Sequence, residues 1–218
     1  MNNSAPPPPP ETNAGVLSVP ISLSTSLPRQ ILGICVGAAL AGAAAYFAAQ
    51  GHRMSLGVAI TVTAIYALLG GAAGWAALID ITEHRLPNRL TYPLIPAVAL
   101  CALVLAIVSG QGHRLSAALI SGVIAGSLFF VAALVAPTGI GMGDAKFAVT
   151  TGAMAGWWSY VTAMWSIFGA FFLAALVALV LIVIRRATAK TPIAFGPFLF
   201  LGAVLAIWWN VSASPFSW

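Results

Sequence analysis

Acidic residues are scarce in this sequence of 218 residues, which has only four of them: Glu11, Asp80, Glu83 and Asp144. Charged residues of both signs make up 6% of the chain, whereas soluble globular domains contain roughly 25%. Hydrophobic residues account for 61%. This composition excludes an ordinary soluble domain and predicts an integral membrane protein.

Two other features are also sparse. The nine lysine and arginine residues are scattered along the chain instead of forming one basic stripe, so nucleic acid is not expected as a partner. Cys35 and Cys101 both lie inside apolar runs, and the sequence has no Cys-x-x-Cys pair. This spacing indicates neither a zinc site nor a disulfide framework, and we expect no metal or other cofactor.

Long apolar runs are abundant, and about 20 residues are needed to span roughly 30 Å of hydrocarbon. Residues 144–158 form a shorter run, which we interpret as a separate short helix beginning at Asp144. The sequence therefore predicts an all-α, polytopic membrane bundle of about seven helices. The six longer spans are predicted at residues 31–50, 57–79, 92–110, 115–136, 159–184 and 193–210.

The domain organisation follows from the same runs. Residues 1–28 include "APPPPPE" and show no apolar periodicity, so we expect a disordered, proline-rich tail. A secretory signal is a weaker alternative, because no charged region precedes the apolar run. Residues 29–212 are predicted to form one membrane domain, followed by a short C-terminal tail at 213–218.

The loop charges predict an orientation. With seven helices and a cytoplasmic N-terminus, only Arg53 and Arg114 face outward, which agrees with the excess of positive charge in cytoplasmic loops. The inward-facing cations are then Arg29, Arg85, Arg89, Lys146, Arg185, Arg186 and Lys190.

This topology places Asp80 and Asp144 at the same cytoplasmic edge, because one ends the second helix and the other begins the fifth. An aspartate at a helix N-terminus is often only a cap, which is the alternative for Asp144. Asp80 follows "GWAALI" at a helix C-terminus, where the helix dipole disfavours an anion. An ionisable residue held at such a position is a functional-site hypothesis.

Two adjacent carboxyl groups can carry out acid–base chemistry. They cannot both ionise easily, so they share a proton, and one serves as general base while the other serves as general acid. A water molecule between them could then attack a peptide carbonyl. Gly141 and Gly143 precede Asp144 and permit positive φ or close backbone approach, which would let an extended substrate lie against this loop. A glycine-rich turn before a helix is the simpler alternative.

Three blocks of the sequence, "IDITEHRLPNRLTYPL", "GMGDAKFAVTTGAMAGWW" and "TPIAFGPFLFLGA", resemble the membrane domain of type IV prepilin peptidases in order and spacing. The resemblance runs from about Ala77 to Trp209. It implies an aspartic protease with a Gly-x-Gly-Asp motif, in which Asp80 and Asp144 match the two catalytic residues. Its substrates would be prepilins or pseudopilins, cleaved after their basic leader at the cytoplasmic face of the bacterial inner membrane.

The chain departs from many members of that family. It has no paired Cys-x-x-Cys motifs and no room for the associated cytoplasmic domain, so the resemblance is to the short members, and we do not expect N-methyltransferase activity. Asn88 stands where many relatives have a second acid, and Ala194 replaces a proline that commonly precedes the Phe-Gly-Pro motif.

Several other residues have both a structural and a functional interpretation. Pro87 and Asn88 interrupt the chain after Asp80, and Thr91 could cap the next helix. Lys146 could lower the pKa of Asp144, although contact with phospholipid headgroups is favoured. Phe195, Gly196 and Pro197 either begin the last helix or, by the resemblance, form a wall of the substrate cleft. Three Gly-x-x-x-Gly pairs, at 70/74, 122/126 and 152/156, indicate close helix contacts within one bundle.

Two other functions are compatible with the sequence. One is a different Gly-x-Gly-Asp intramembrane protease, acting on archaellin-like leaders or membrane remnants. The other is a proton-coupled transporter that uses the two aspartates as proton carriers. The latter would be expected to show internal repeats or broken helices at the membrane midplane, and no convincing repeat is visible. The expected partners are precursor substrates and membrane lipids.

Overall fold

A computed structural model of the chain describes residues 27–83, 86–135, 140–185 and 194–213. Over these residues the chain is helical and has no strand, as the sequence predicts. The predicted tails lie outside the described residues, apart from the first two positions of α1 and residue 213. The seven helices are α1 (Leu27–Gly51), α2 (Leu56–Glu83), α3 (Asn88–Ser109), α4 (Gly112–Val135), α5 (Met142–Gly156), α6 (Tyr160–Val183) and α7 (Gly196–Ala213).

Five of these helices, α1 to α4 and α6, are long and apolar enough to cross a membrane. The fold is therefore a polytopic membrane bundle. The predicted short helix at the Gly-x-Gly-Asp motif is confirmed, because α5 has 15 residues. At a rise of 1.5 Å per residue it is about 22 Å long, which is shorter than the roughly 30 Å hydrocarbon core.

Small residues form much of the interior of the bundle, and many large apolar side chains face outward. All the buried residues of α1 are glycine or alanine, whereas Leu68 and Ile107 are more than 70% exposed. This arrangement suits a protein surrounded by lipid. Apolar side chains gain no hydrophobic free energy by leaving the hydrocarbon, so the helices associate through close packing instead.

The Gly-x-x-x-Gly pairs lie in these close contacts, as predicted. A Cβ atom added to Gly74 would lie 2.6 Å from the carbonyl oxygen of Gly33, so the backbones of α1 and α2 touch there. A Cβ on Gly122 would lie 2.9 Å from the carbonyl oxygen of Val149, which shows the same contact between α4 and α5. The glycines therefore hold neighbouring helices of one bundle together.

The helices pair mainly with their neighbours in sequence, α1 with α2, α4 with α5 and α6 with α7. Between these hairpins, α3 and α7 each pack against both α2 and α5. Since Asp80 lies on α2 and Asp144 on α5, α3 and α7 fix the relative position of the two aspartates.

The start of α3 differs from the prediction. The helix begins at Asn88 with Pro87 at the N-cap position, and Thr91 lies inside its first turn. The Thr91 hydroxyl donates a 3.4 Å hydrogen bond back to the Pro87 carbonyl, so its predicted role as a cap is wrong. The backbone carbonyl of an N-cap residue accepts the first hydrogen bonds of the helix whatever its side chain. Here that carbonyl belongs to Pro87, which accepts from the N–H groups of Leu90 and Thr91.

Candidate active site

Asp80 lies on α2, one turn before the end of the helix, and is only 4% exposed. Its Oδ2 atom accepts a 2.8 Å hydrogen bond from the backbone N–H of Gly196. Gly196 is the first residue of α7, and the first N–H groups of a helix have no partner within it. The carboxylate of Asp80 therefore lies at the positive end of a second helix, which offsets the unfavourable end of its own.

Position 196 has room only for glycine while its N–H group lies 2.8 Å from the Asp80 carboxylate. A Cβ atom there would lie 2.8 Å from Oδ2 of Asp80 and 3.3 Å from Cγ. The missing side chain is thus what lets the N-terminus of α7 reach a buried carboxylate on α2. Gly196 was predicted as part of a cleft wall, and the structure gives it this direct contact with Asp80.

Asp144 is the third residue of α5 and is 8% exposed. Its Oδ2 atom accepts a 3.0 Å hydrogen bond from the N–H of Gly141, which occupies the N-cap position. This bond satisfies a donor that the helix itself leaves unpaired. Both aspartates are thus buried, and the carboxylate of each accepts a backbone hydrogen bond at the start of a helix. That helix is α7 for Asp80 and α5 for Asp144.

The two glycines of the motif do not adopt the positive φ allowed by the sequence interpretation. Gly141 is extended, with φ −83° and ψ 151°, and Gly110 is the one described glycine with positive φ. Gly143 instead permits a close approach within the protein, because a Cβ there would lie 2.8 Å from the Cβ of Leu86. The motif therefore packs against the segment that follows α2.

Lys146 connects the starts of α5 and α3. Its Nζ atom donates a 2.7 Å hydrogen bond to Oδ1 of Asn88 and lies 4.2 Å from the centroid of the Tyr92 ring. Neither contact was anticipated, since the sequence suggested an effect on Asp144 or contact with lipid. Together with half-buried Pro87, which precedes Asn88, Lys146 keeps the motif beside the α2–α3 connection.

Phe195 and Pro197 lie in different surroundings. The Phe195 ring packs in an aromatic cluster, with centroid distances of 5.1 Å to Phe171 and 5.5 Å to Phe129. Pro197 lines an apolar groove of about 210 Å³ between α1, α2 and α7. The groove also includes Ile81, which follows Asp80 in the sequence, but neither aspartate lines it.

The carboxyl groups of Asp80 and Asp144 are near enough to interact electrostatically. Two buried carboxyl groups that interact in this way do not both ionise easily, so one can accept a proton while the other can donate one. Among the described residues, no group of three or more His, Cys, Asp or Glu side chains is placed to hold a metal ion. The arrangement has the components for acid–base hydrolysis of a carbonyl compound.

Two contact residues were missed by the sequence interpretation. Leu86 contacts Gly143, and Tyr92 lies beneath the Lys146 ammonium group. Tyr92 could have been found by starting α3 at Asn88, because residues four apart lie on the same helix face. His84, four residues after Asp80 in the sequence, lies outside the described residues.

Comparisons with known proteins agree with the class of protein that these features suggest. The type IV leader peptidase family matches residues 67–207, which include both aspartates and Gly196. The chain therefore belongs to the type IV leader peptidase family. No solved structure matches the chain.

A curated relative is the prepilin leader peptidase/N-methyltransferase of Aeromonas hydrophila. It is 31% identical over 137 residues, which are 62% of this chain and 45% of that protein. The matched region is thus less than half the length of this relative.

Proposed function

We propose that this chain is a membrane-embedded aspartic endopeptidase that removes the leader from prepilin or pseudopilin precursors. Asp80 and Asp144 would form its catalytic pair, within the membrane domain of residues 29–212. The observation that carries the proposal is the placement of two buried, electrostatically interacting carboxyl groups in a chain with only four acids. Membership of a leader peptidase family supports the substrate class.

The mechanism follows from one shared proton. The ionised aspartate takes a proton from a water molecule, and the resulting hydroxide attacks the carbonyl carbon of the scissile peptide bond. The protonated aspartate donates to the carbonyl oxygen, so no full negative charge develops on it. When the C–N bond breaks, the leaving amine takes a proton from the carboxyl that first acted as base. A hydroxyl of the tetrahedral intermediate returns its proton to the other carboxylate as the new carboxyl product forms, so the single shared proton is restored.

The remaining residues of the site act by positioning. Gly196 and Gly141 each donate a backbone N–H to one of the aspartates, and this orients the carboxylates. Gly143, Pro87, Asn88 and Lys146 hold the loop before α5 against the start of α3. Phe195 and Pro197 fix the beginning of α7 on its two sides.

The apolar groove that Pro197 lines, next to the Gly196 donor of Asp80, suits a membrane-anchored precursor. A substrate whose polar leader joins an apolar helix could place the first apolar residues in the groove, with the scissile bond at the carboxyl pair. The excess of cations in the predicted inward loops supports a site that faces the cytoplasm, in the bacterial inner membrane. Cleavage there would serve type IV pilus assembly or protein secretion.

The test is cleavage of a co-expressed prepilin, followed as a mobility shift at matched membrane abundance. Asp80→Asn and Asp144→Asn keep the size of the side chain but cannot exchange the proton, so each should lower the cleavage rate about 100-fold or more. Glu83→Gln is the matched control, because Glu83 is an exposed acid at the same end of α2, and it should cleave normally. Persistent cleavage in either aspartate variant would rule out the pair.

A panel of substrates distinguishes the alternatives. Cleavage of archaellin-like precursors but not prepilins by the wild type would favour a different Gly-x-Gly-Asp protease. Proton-dependent solute uptake without cleavage of any precursor would favour the transporter. Mass analysis of the cleaved prepilin also shows whether its new N-terminus is methylated, which we do not expect.

A further inference from the structure

Buried polar atoms without a hydrogen-bond partner are concentrated at the end of the bundle opposite the aspartates. Among the described residues, six buried side-chain nitrogen or oxygen atoms have no partner. Four of them belong to this end, where α5 finishes and α4 begins. They are Oε1 of Gln111, Nη1 of Arg114, Nε1 of Trp157 and Nε1 of Trp158.

Arg114 is the centre of this group. It is only 9% exposed, and its guanidinium carbon lies 5.7 Å from the centroid of the Trp158 ring. The Trp158 ring also stacks on the His52 ring, at a centroid distance of 5.5 Å. The turn after α1, the first turn of α4 and the turn after α5 therefore meet at Trp158.

No acid neutralises Arg114 within the described part of the chain. The three described acids, Asp80, Glu83 and Asp144, all lie at the opposite end of the bundle. A guanidinium above an aromatic ring gains some attraction from the ring, but it keeps its full charge. A buried charge without an opposite charge is costly, and a buried N–H without an acceptor adds to that cost.

The unpartnered groups define the chemistry of what would satisfy them. Arg114 presents positively charged N–H donors, and its Nη1 atom has no acceptor. A water molecule could accept one hydrogen bond but would leave the charge unbalanced. An oxyanion with several acceptor oxygens meets both needs, and guanidinium pairs especially well with phosphate.

The position of the group selects the source of the phosphate. This end of the bundle is the end of the membrane-crossing helices opposite the aspartates, so it lies at the other membrane interface, where Trp and Arg side chains characteristically meet lipid headgroups. Gly110, Gly112 and His113, in and after the short connection between α3 and α4, are exposed.

We propose that Arg114, on the face of the Trp158 ring, forms a site for the phosphate group of a phospholipid at the interface opposite the aspartates. The guanidinium donates to the phosphate oxygens. Occupation ties the start of α4 to the turn after α5. This site is separate from the proposed peptidase site.

The test uses the purified full-length chain in phosphate-free detergent, with lipid binding followed by native mass spectrometry and by the shift in thermal unfolding. The probes are dioleoylphosphatidylglycerol, dioleoylphosphatidylcholine, dioleoylglycerol and inorganic phosphate. Wild type should bind and be stabilised by the two phospholipids but not by dioleoylglycerol, which has the same chains and no phosphate. Arg114→Gln should weaken phospholipid binding about 10- to 100-fold.

Arg53→Gln is the matched control, because it removes an exposed cation from the same end, and it should bind phospholipid like wild type. Equal stabilisation of wild type by dioleoylglycerol and phospholipid would overturn the proposal, even if Arg114→Gln fails to fold. Equal loss in both arginine variants would reduce the effect to general surface charge and would also overturn it. Saturation by inorganic phosphate alone would retain the phosphate site but overturn the lipid as its source.

Discussion

The environment of Asp80 is set by Gly196, a residue 116 positions away in the sequence. Judged from its own helix, Asp80 occupies a C-terminal turn, where an anion is disfavoured. The N-terminus of α7 supplies the compensating partner, and this partner can be identified only once the helices are packed. Asp144 differs, because its donor, Gly141, lies within its own loop and was within reach of sequence reasoning.

A methyl group at position 196 should disturb the carboxylate of Asp80 directly. In Gly196→Ala the new Cβ would lie 2.8 Å from Oδ2 of Asp80, so the carboxylate or the start of α7 must move. We expect prepilin cleavage to fall about 10- to 100-fold, as a displacement of about 1 Å commonly causes. The measurement is the initial cleavage rate in detergent, with Gly57→Ala, where the new methyl group meets nothing within 4 Å, as the control. Full activity of Gly196→Ala would show that the approach of α7 to Asp80 is not required.

The contact between Lys146 and Asn88 can be measured as a coupling energy. Lys146→Met and Asn88→Ala each remove the same 2.7 Å hydrogen bond, so their effects should not add in the double variant. Because the bond is exposed, we expect a coupling of about 0.5–1 kcal/mol in the free energy of unfolding. Arg89→Gln, which changes an exposed cation at the same end, should show no coupling with Lys146→Met. Additive effects of the first pair would mean that the two side chains do not interact in the membrane.

At the scale of elements, glycine and alanine determine which helices can touch. The contacts of α1 with α2 and of α4 with α5 bring backbone against backbone, which larger side chains would prevent. The Gly-x-x-x-Gly spacing made these faces recognisable in the sequence. The spacing alone does not identify the partner helix. The prediction also overlooked Gly33 and Gly37 on α1, which have the same spacing and contact Gly70 and Gly74 on α2.

A larger residue in the α1–α2 contact should destabilise the bundle. Gly74→Val places its side chain against the carbonyl oxygen of Gly33 and the Cα of Gly37, which lie 2.6 and 2.7 Å from the position of a Cβ. Overpacking of this kind costs about 1–3 kcal/mol. We expect a lower midpoint in thermal unfolding of the purified protein, whereas Gly57→Ala in the same helix should leave it unchanged or slightly raised. An unchanged midpoint for Gly74→Val would contradict the contact.

For the whole molecule, the number and order of helices could be predicted because each one is an apolar run with polar residues at its ends. The limits of α2 and α3 were less predictable. α2 continues past Asp80 to Glu83, and α3 begins at Asn88. Polar residues near the ends of these helices were interpreted as loop, since a hydropathy criterion detects the hydrocarbon span and not the helix itself.

The orientation of the whole bundle gives a further prediction. The aspartate end should face the cytoplasm, since the positive charges of the predicted loops are concentrated there. In spheroplasts, a membrane-impermeant maleimide should label a cysteine introduced by His113→Cys but not one introduced by Glu83→Cys, both positions being exposed. Cys35→Ala and Cys101→Ala remove the native thiols from the background. Labelling of the Glu83→Cys variant alone would reverse the orientation and with it the proposed cytoplasmic site.

The pairing of α1 with α2, α4 with α5 and α6 with α7 also bears on how the protein is made. Each hairpin consists of helices adjacent in the chain, so each can insert and close while later helices are still being synthesised. The components of the site are divided among them: Asp80 on the first hairpin, Asp144 on the second and the Gly196 donor on the third. A nascent chain that has completed only α5 already holds both aspartates but lacks the donor for Asp80. The enzyme would therefore acquire its activity only after the last helix has docked, which protects other membrane proteins from cleavage by unfinished copies.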